Sequence, residues 1–143
     1  MSLLTVGTQI GTEFTGKIKT ITEERVYSFS GGFPRGPEWP KKTIHTNIDV
    51  ASRCGLKKRM ASGAMFEGYL IELMIDLFGE RWLSKGKMTL KFIAQVSPGD
   101  TLVAKAIIES KETANSTTKY KLNLWCENQN AQKVVIGSAT GWI

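Results

Sequence analysis

Residues 62–79, SGAMFEGYLIELMIDLFG, decide the fold. Ser62 opens the stretch and Gly79 closes it, the residue types that cap and stop a helix. Between them Met65, Phe66, Tyr69, Leu70, Ile71, Leu73, Met74, Ile75, Leu77 and Phe78 are apolar on almost every side. Glu72, Asp76 and Glu80, spaced by four, make the polar stripe. A helix this apolar must be enclosed by the rest of the fold. The C-terminal half of the chain supplies the enclosure: 88–96 (MTLKFIAQV), 101–110 (TLVAKAIIES), 116–127 (STTKYKLNLWCE) and 132–142 (QKVVIGSATGW) read as strands. Turns at 97–100, 111–115 and 128–131, the first carrying Pro98-Gly99-Asp100, divide them. One buried helix and then an antiparallel run predicts an α+β domain with the sheet wrapped around the helix.

Upstream, residues 1–11 read as an N-terminal arm, and 12–21 (TEFTGKIKTI) alternates as a first strand. Thr22-Glu23-Glu24-Arg25 resembles a capped helix start, with Val26, Tyr27 and Phe29 as its apolar side. Segment 30–44, SGGFPRGPEWPKKTI, holds three glycines and three of the four prolines, so it is a loop. Asn47 to Gly55 reads as a short helix capped by Asn47 or Thr46 and stopped by Gly55. The 143 residues suit one domain spanning 1–143, because two halves would each be near the lower limit for unassisted folding.

The chain is 41% apolar, 22% charged and 9% aromatic, which excludes a disordered polymer. No apolar run has the ~18–20 residues that span a bilayer, and no basic-then-apolar leader opens the chain. A cytoplasmic protein without membrane attachment is the expectation. Cys54 and Cys126 are neither a CxxC pair nor part of a histidine cluster, so no metal site and no disulfide framework is expected. The net charge is +6, yet only Lys57-Lys58-Arg59 forms a tight basic cluster, and no nucleic-acid-binding signature accompanies it. A small phosphate-bearing ligand suits one local cluster better than nucleic acid does. A merely solubilising basic surface is the competing reading.

Three features carry chemical potential. His45 is the only histidine, and it lies between the Gly/Pro loop and a short helix, where a side chain projects into a cleft. Ala61-Ser62-Gly63 opens the long helix, whose free amide groups and dipole can hold developing negative charge on a carbonyl oxygen; a plain helix cap is the alternative. Glu67 lies ~140° from Glu72 on the helical wheel, so it points toward the sheet, a site wall or a subunit interface. There is no Gly-rich phosphate loop, no GxSxG elbow and no HExxH.

The order Tyr27…Ser30-Gly31-Gly32…Ile44-His45-Thr46…Ala51…Ala61-Ser62-Gly63, a long apolar helix, then Phe92…Val96-Ser97-Pro98-Gly99-Asp100-Thr101-Leu102 resembles the MaoC-like (R)-specific enoyl-CoA hydratase/dehydratase family. The resemblance covers roughly 12–143 and implies a hot-dog fold. Of the family motif Ser-Gly-Asp-x-Asn-Pro-x-His, Ser30, Gly31 and His45 match, while Gly32 stands where the aspartate belongs. Twelve residues separate Gly32 from His45, more than the motif allows, and counting back from His45 at the motif spacing reaches Pro40.

The resemblance implies an acyl-thioester hydratase/dehydratase. His45 would be the base, Gly63 would donate to the thioester carbonyl, and Ser62 would bond substrate or cap the helix. Glu38, on the inserted loop, would replace the absent acid, with Asp49 and Glu67 as further candidates. Lys57, Lys58 and Arg59 would meet the phosphates of coenzyme A or of an acyl carrier, which enters as part of the substrate; no other cofactor is implied. Phe33 and Trp39 would make the inserted loop an apolar flap over the acyl pocket, or else a surface loop on the sheet edge. Hot-dog sites lie between subunits, so a homodimer or higher homo-oligomer is implied. Two other readings stay open: a hot-dog thioesterase using Glu67 or Glu72, and a non-catalytic acyl-binding subunit.

Overall fold

The computed structural model of the chain describes residues 3–143. In chain order the elements are β1 (Glu13–Thr15), β2 (Lys19–Thr20), α1 (Glu23–Ser30), α2 (Ile48–Arg53), α3 (Gly63–Phe78), α4 (Arg81–Lys85), β3 (Lys87–Phe92), β4 (Thr101–Ala114), β5 (Thr117–Asn128) and β6 (Lys133–Trp142). The strands form one antiparallel sheet in the order β1-β4-β5-β6-β3, with β2 pairing on β4 alongside β1. Alternation sets which face is buried: Leu102, Ala104, Ala106 and Ile108 of β4, and Tyr120, Leu122, Leu124 and Cys126 of β5, point inward. They meet Met65, Phe66, Leu70, Leu73, Met74, Leu77 and Phe78 of α3 in one core. Each fully buried large aliphatic side chain contributes on the order of 1.5–3 kcal/mol. Gly141 of β6 is required by this packing, because a Cβ there would meet the Phe78 ring at 2.7 Å. The α+β architecture and the central helix are as the sequence predicts.

Several boundaries differ, each for a local reason. The strand expected at 12–21 is broken. Thr15 faces Lys105 but Lys19 faces Leu102, so one extra residue is inserted on this strand, and Gly16 donates to Ala104 O at 2.8 Å where the chain buckles. Ile18 consequently turns out to solvent. Only Val26 of the expected apolar side of α1 is buried, and Phe29 is exposed. β3 stops at Phe92 rather than at Val96: Ile93 N and Ala94 N both donate to Val134 O, at 2.9 and 3.2 Å, and the ladder cannot advance past a shared acceptor. The short α4, with Trp82 stacked on Phe78, is not legible in the sequence. Ser62 occupies the N-cap position of α3, yet its side chain makes no capping bond.

Enclosure of α3 is incomplete. Ala64, Gly68 and Ile75 are exposed and Ile71 is half-buried, so one stripe of the helix stays open. Glu72, in the polar stripe, is held by Lys19 at 2.7 Å, while Glu80 lies beyond the helix end. The Pro98–Gly99 turn docks back on the start of α1: Gly99 N donates to Ile21 O at 2.7 Å, and Asp100 accepts from Ser97 N at 2.8 Å. Among the described residues no helix is long and apolar enough to cross a membrane.

Candidate functional site

His45 sits in a turn built by threonines. Thr46 Oγ1 accepts from Thr43 N at 2.9 Å, Thr43 Oγ1 accepts from His45 N at 3.1 Å, and the Thr43 carbonyl accepts from Thr46 N and Asn47 N. Asn47 then caps α2 by accepting from Val50 N at 3.1 Å. With its backbone pinned on both sides, the half-buried imidazole places Nδ1 2.7 Å from the carbonyl oxygen of Met60. A carbonyl only accepts, so Nδ1 carries a proton, and the tautomer this contact selects has its lone pair at Nε2.

Met60 follows the basic run, and that run lines a cavity of about 520 Å³ together with Glu23 and Tyr27 of α1, Thr46 and Asn47 beside His45, and the Ser97–Pro98 turn. The three basic residues are not equivalent. Arg59 is committed: its guanidinium bonds Glu23 Oε1, donates to Tyr27 Oη at 2.9 Å, and lies 5.6 Å from the Tyr27 ring centroid. The Arg59 hydrogen bond holds the Glu23 carboxyl below the ordinary carboxylate range, and the same bond raises Arg59. Lys57 and Lys58 are exposed, and no carboxylate among the described residues pairs with them. Arg59 is thus a brace in this structure, with the two lysines free to meet an anion.

At the start of α3, the amides of Gly63 and Ala64 make no hydrogen bond among the described residues, whereas Met65 N already donates to Ser62 O at 3.0 Å. The ring of Phe92 lies against Gly63, where an added Cβ would approach it to 2.8 Å. Phe66 meets Phe92 edge-on, with centroids 5.5 Å apart. The free helix terminus is therefore walled by one half-exposed aromatic ring.

The remaining expected residues are dispersed. Glu38 is exposed, beside Pro40, Lys41 and Lys42, and makes no hydrogen bond to His45. Asp49 is exposed in the first turn of α2. Glu67 is half-buried on α3 with no hydrogen bond or ion pair to the described residues. The inserted loop is closed at its base by Lys41 N donating to Gly31 O at 2.7 Å. Trp39 packs edge-on to Tyr27 at 6.4 Å, while Phe33 is 85% exposed. Sequence reasoning assigned no role to Glu23, to the Met60 carbonyl or to Phe92. Only the spacing of Glu23 and Tyr27, four apart on one helix face, could have drawn attention to that pair. Among the described residues no three metal-ligating side chains cluster.

No protein-family model and no curated protein matches the sequence. Solved structures do match the fold. A MaoC-like dehydratase from Rhodospirillum rubrum superposes with a TM-score of 0.73 at 16% identity, over 95% of this chain and 92% of that one. The (R)-hydratase PhaJ1 from Pseudomonas aeruginosa gives a TM-score of 0.67 at 24% identity, over 94% and 81%. The HadBC complex from Mycobacterium tuberculosis, a 3R-hydroxyacyl-ACP dehydratase, gives 0.63 at 14% identity, over 94% and 96%. The chain has the hot-dog fold that these MaoC-like dehydratases and (R)-hydratases share.

Proposed function

We propose that this chain is a MaoC-like hydratase/dehydratase acting on acyl thioesters. The observation that carries the reading is the His45–Met60 hydrogen bond, which fixes the tautomer a general base needs. In the hydration direction His45 Nε2 takes a proton from water as the oxygen attacks the β-carbon of the enoyl thioester. The electrons move to the thioester oxygen, and the amides of Gly63 and Ala64 with the α3 dipole stabilise the enolate. The imidazolium then returns its proton to the α-carbon, so His45 alone balances the reaction. We assign Glu38 to steadying the imidazolium, which requires the inserted loop to fold inward. Asp49 and Glu67 are the next candidates, and Ser62 contacts the substrate. Lys57 and Lys58 receive the phosphates of the carrier, and Phe33 and Trp39 shape the acyl side.

The functional unit is a homodimer in this reading. Two features support it: β3 is a sheet edge, and the Ala64–Gly68–Ile75 stripe of α3 is open. A panel of enoyl thioesters, followed at the enone absorbance with wild type and His45→Ala, tests the activity. No wild-type turnover on any of them would sink it. A thioesterase remains the second reading, because Glu67 is half-buried without an ion pair among the described residues. Thiol release dependent on Glu67 would select that reading.

A further inference from the structure

β3 ends the sheet, and its two faces make opposite demands on whatever pairs with it. Alternation turns Met88, Leu90 and Phe92 inward; Met88 and Leu90 are half-buried and Phe92 is 47% exposed, so the inner face wants cover. Lys87, Thr89 and Lys91 point outward and are exposed. Neither β3 nor its neighbour β6 contains a carboxylate, and neither lysine makes an ion pair or side-chain hydrogen bond among the described residues. On the strands beyond, Glu127 is held by Lys105 and Glu109 by Lys121. Beside Lys91 runs a trough of about 610 Å³, on whose floor Thr89, Ser138 and Asn123 stand side by side across β3, β6 and β5. The polar groups of these three side chains make no hydrogen bond among the described residues.

A homodimer joined through β3 meets a conflict here, because opposed residues in an antiparallel pair face the same side of the sheet. Two copies therefore match outward residue with outward residue, and the outward set is Lys-Thr-Lys. Full overlap sets Lys87 opposite Lys91 of the partner subunit, and Lys91 opposite Lys87 of the partner subunit. Sliding the register by two residues sets lysine opposite threonine but leaves lysine diagonal to lysine, about 7–8 Å away. Sliding it by one would turn Met88 and Leu90 to solvent. No register separates the charges. We infer that a compact oxyanion with two or more charges, of the phosphate or pyrophosphate class, seats on the outer face at this dyad. Lys87 and Lys91 of both copies hold it, with Thr89 and Ser138 as hydroxyl donors. The site is incomplete in one copy, so anion and second copy bind together, and the anion concentration sets how much of the chain is dimeric. This rests on the homodimer of the proposed function and on none of its chemistry.

The test is sedimentation velocity of the full chain in sodium pyrophosphate and in sodium chloride of equal ionic strength. Pyrophosphate should tighten the dimer about tenfold or more beyond the chloride control. Both lysines are exposed and unpaired, so their replacement should leave the fold intact, which circular dichroism checks. Lys87→Gln with Lys91→Gln should dimerise without pyrophosphate and ignore it. Lys91→Glu sets a carboxylate opposite Lys87 at full overlap and should also dimerise without the anion. Lys57→Ala with Lys58→Ala should keep the response, which separates this face from the cavity beside His45. Equal tightening by chloride would reduce the effect to screening and overturn the inference, as would a wild-type dimer indifferent to both salts. The homodimer stands in those two outcomes. A response lost with Lys57 and Lys58 but kept in Lys87→Gln with Lys91→Gln overturns the inference too. A chain monomeric in every condition, Lys91→Glu included, removes the homodimer along with it, and β3 is then an edge whose lysines keep it unpaired.

Discussion

His45 Nδ1 and the Met60 carbonyl oxygen, 2.7 Å apart, tie the turn after the inserted loop to the basic segment before α3. The contact sets the proton on Nδ1 and leaves Nε2 basic. His45→Ala should therefore lower kcat on enoyl thioesters by ~10²–10⁴-fold, the usual contribution of a positioned acid/base group. Its melting temperature should shift by only a few degrees, because the threonine turn that shapes the segment does not involve the ring. Glu38→Gln measured beside it locates the carboxylate that steadies the imidazolium. A comparable loss places that carboxylate on the inserted loop, and near-wild-type activity directs attention to Asp49 and Glu67.

Gly63 and Phe92 form the second testable pair. Gly63→Ala would push a methyl into the Phe92 ring, so the expected cost in stability is about 1–3 kcal/mol. Activity should fall as well, since the same methyl crowds the free amides of the helix terminus. Adding Phe92→Ala removes the clash. Urea unfolding of the double variant should return stability toward that of Phe92→Ala alone. If the double variant also regains turnover, Phe92 is the wall that limits what reaches the amides; if stability alone returns, the Gly63 methyl itself blocks them.

Acid should destabilise the fold through two paired carboxylates. Arg59 lowers Glu23 and Lys105 lowers Glu127, in each case chiefly by a direct hydrogen bond. A carboxyl held lower in the folded state than in the unfolded chain stabilises the fold above its unfolded value, ~4.3 for glutamate. That contribution is lost as pH falls through the folded value. Chemical unfolding measured from pH 7 downward should show stability declining below about pH 5. Glu23→Gln and Glu127→Gln should each flatten part of that decline, and an unchanged slope in both would show that the ion pairs do not form in solution.

The fold was legible because its signals are strong and local. An apolar run of helical length between Ser62 and Gly79, followed by alternating strands with Gly/Asp turns, leaves little choice of architecture. The site was legible only in pieces. His45 could be picked out as the lone histidine, but its orienting partner is a backbone carbonyl, which no side-chain pattern encodes. Arg59 read as a free phosphate ligand because Lys57-Lys58-Arg59 looks uniform in sequence, whereas the fold brings α1 beside it and Glu23 claims it. The strand at 12–21 misread for a similar reason: alternation continues through Ile18, and the extra residue that breaks it is set by register against β4.

The two cysteines should separate cleanly in a reactivity assay. Cys54 is exposed past the end of α2, while Cys126 is fully buried in β5 with its thiol facing the Phe66 carbonyl of α3 at 3.9 Å. Burial pushes the Cys126 thiol up to about 12, so almost no thiolate exists at neutral pH. Iodoacetamide should modify only Cys54 in the native protein, and Cys126 should react at the rate of global unfolding. The same shift has an alkaline consequence. A thiol whose folded value exceeds its unfolded one, ~8.5, stabilises the fold fully below that pH and loses the contribution as pH rises toward the folded value. Unfolding free energy should thus decline between about pH 8.5 and 12, and Cys126→Ala should remove that part of the slope while lowering stability at neutral pH. Rapid native alkylation of Cys126 would mean that α3 does not stay seated on the sheet.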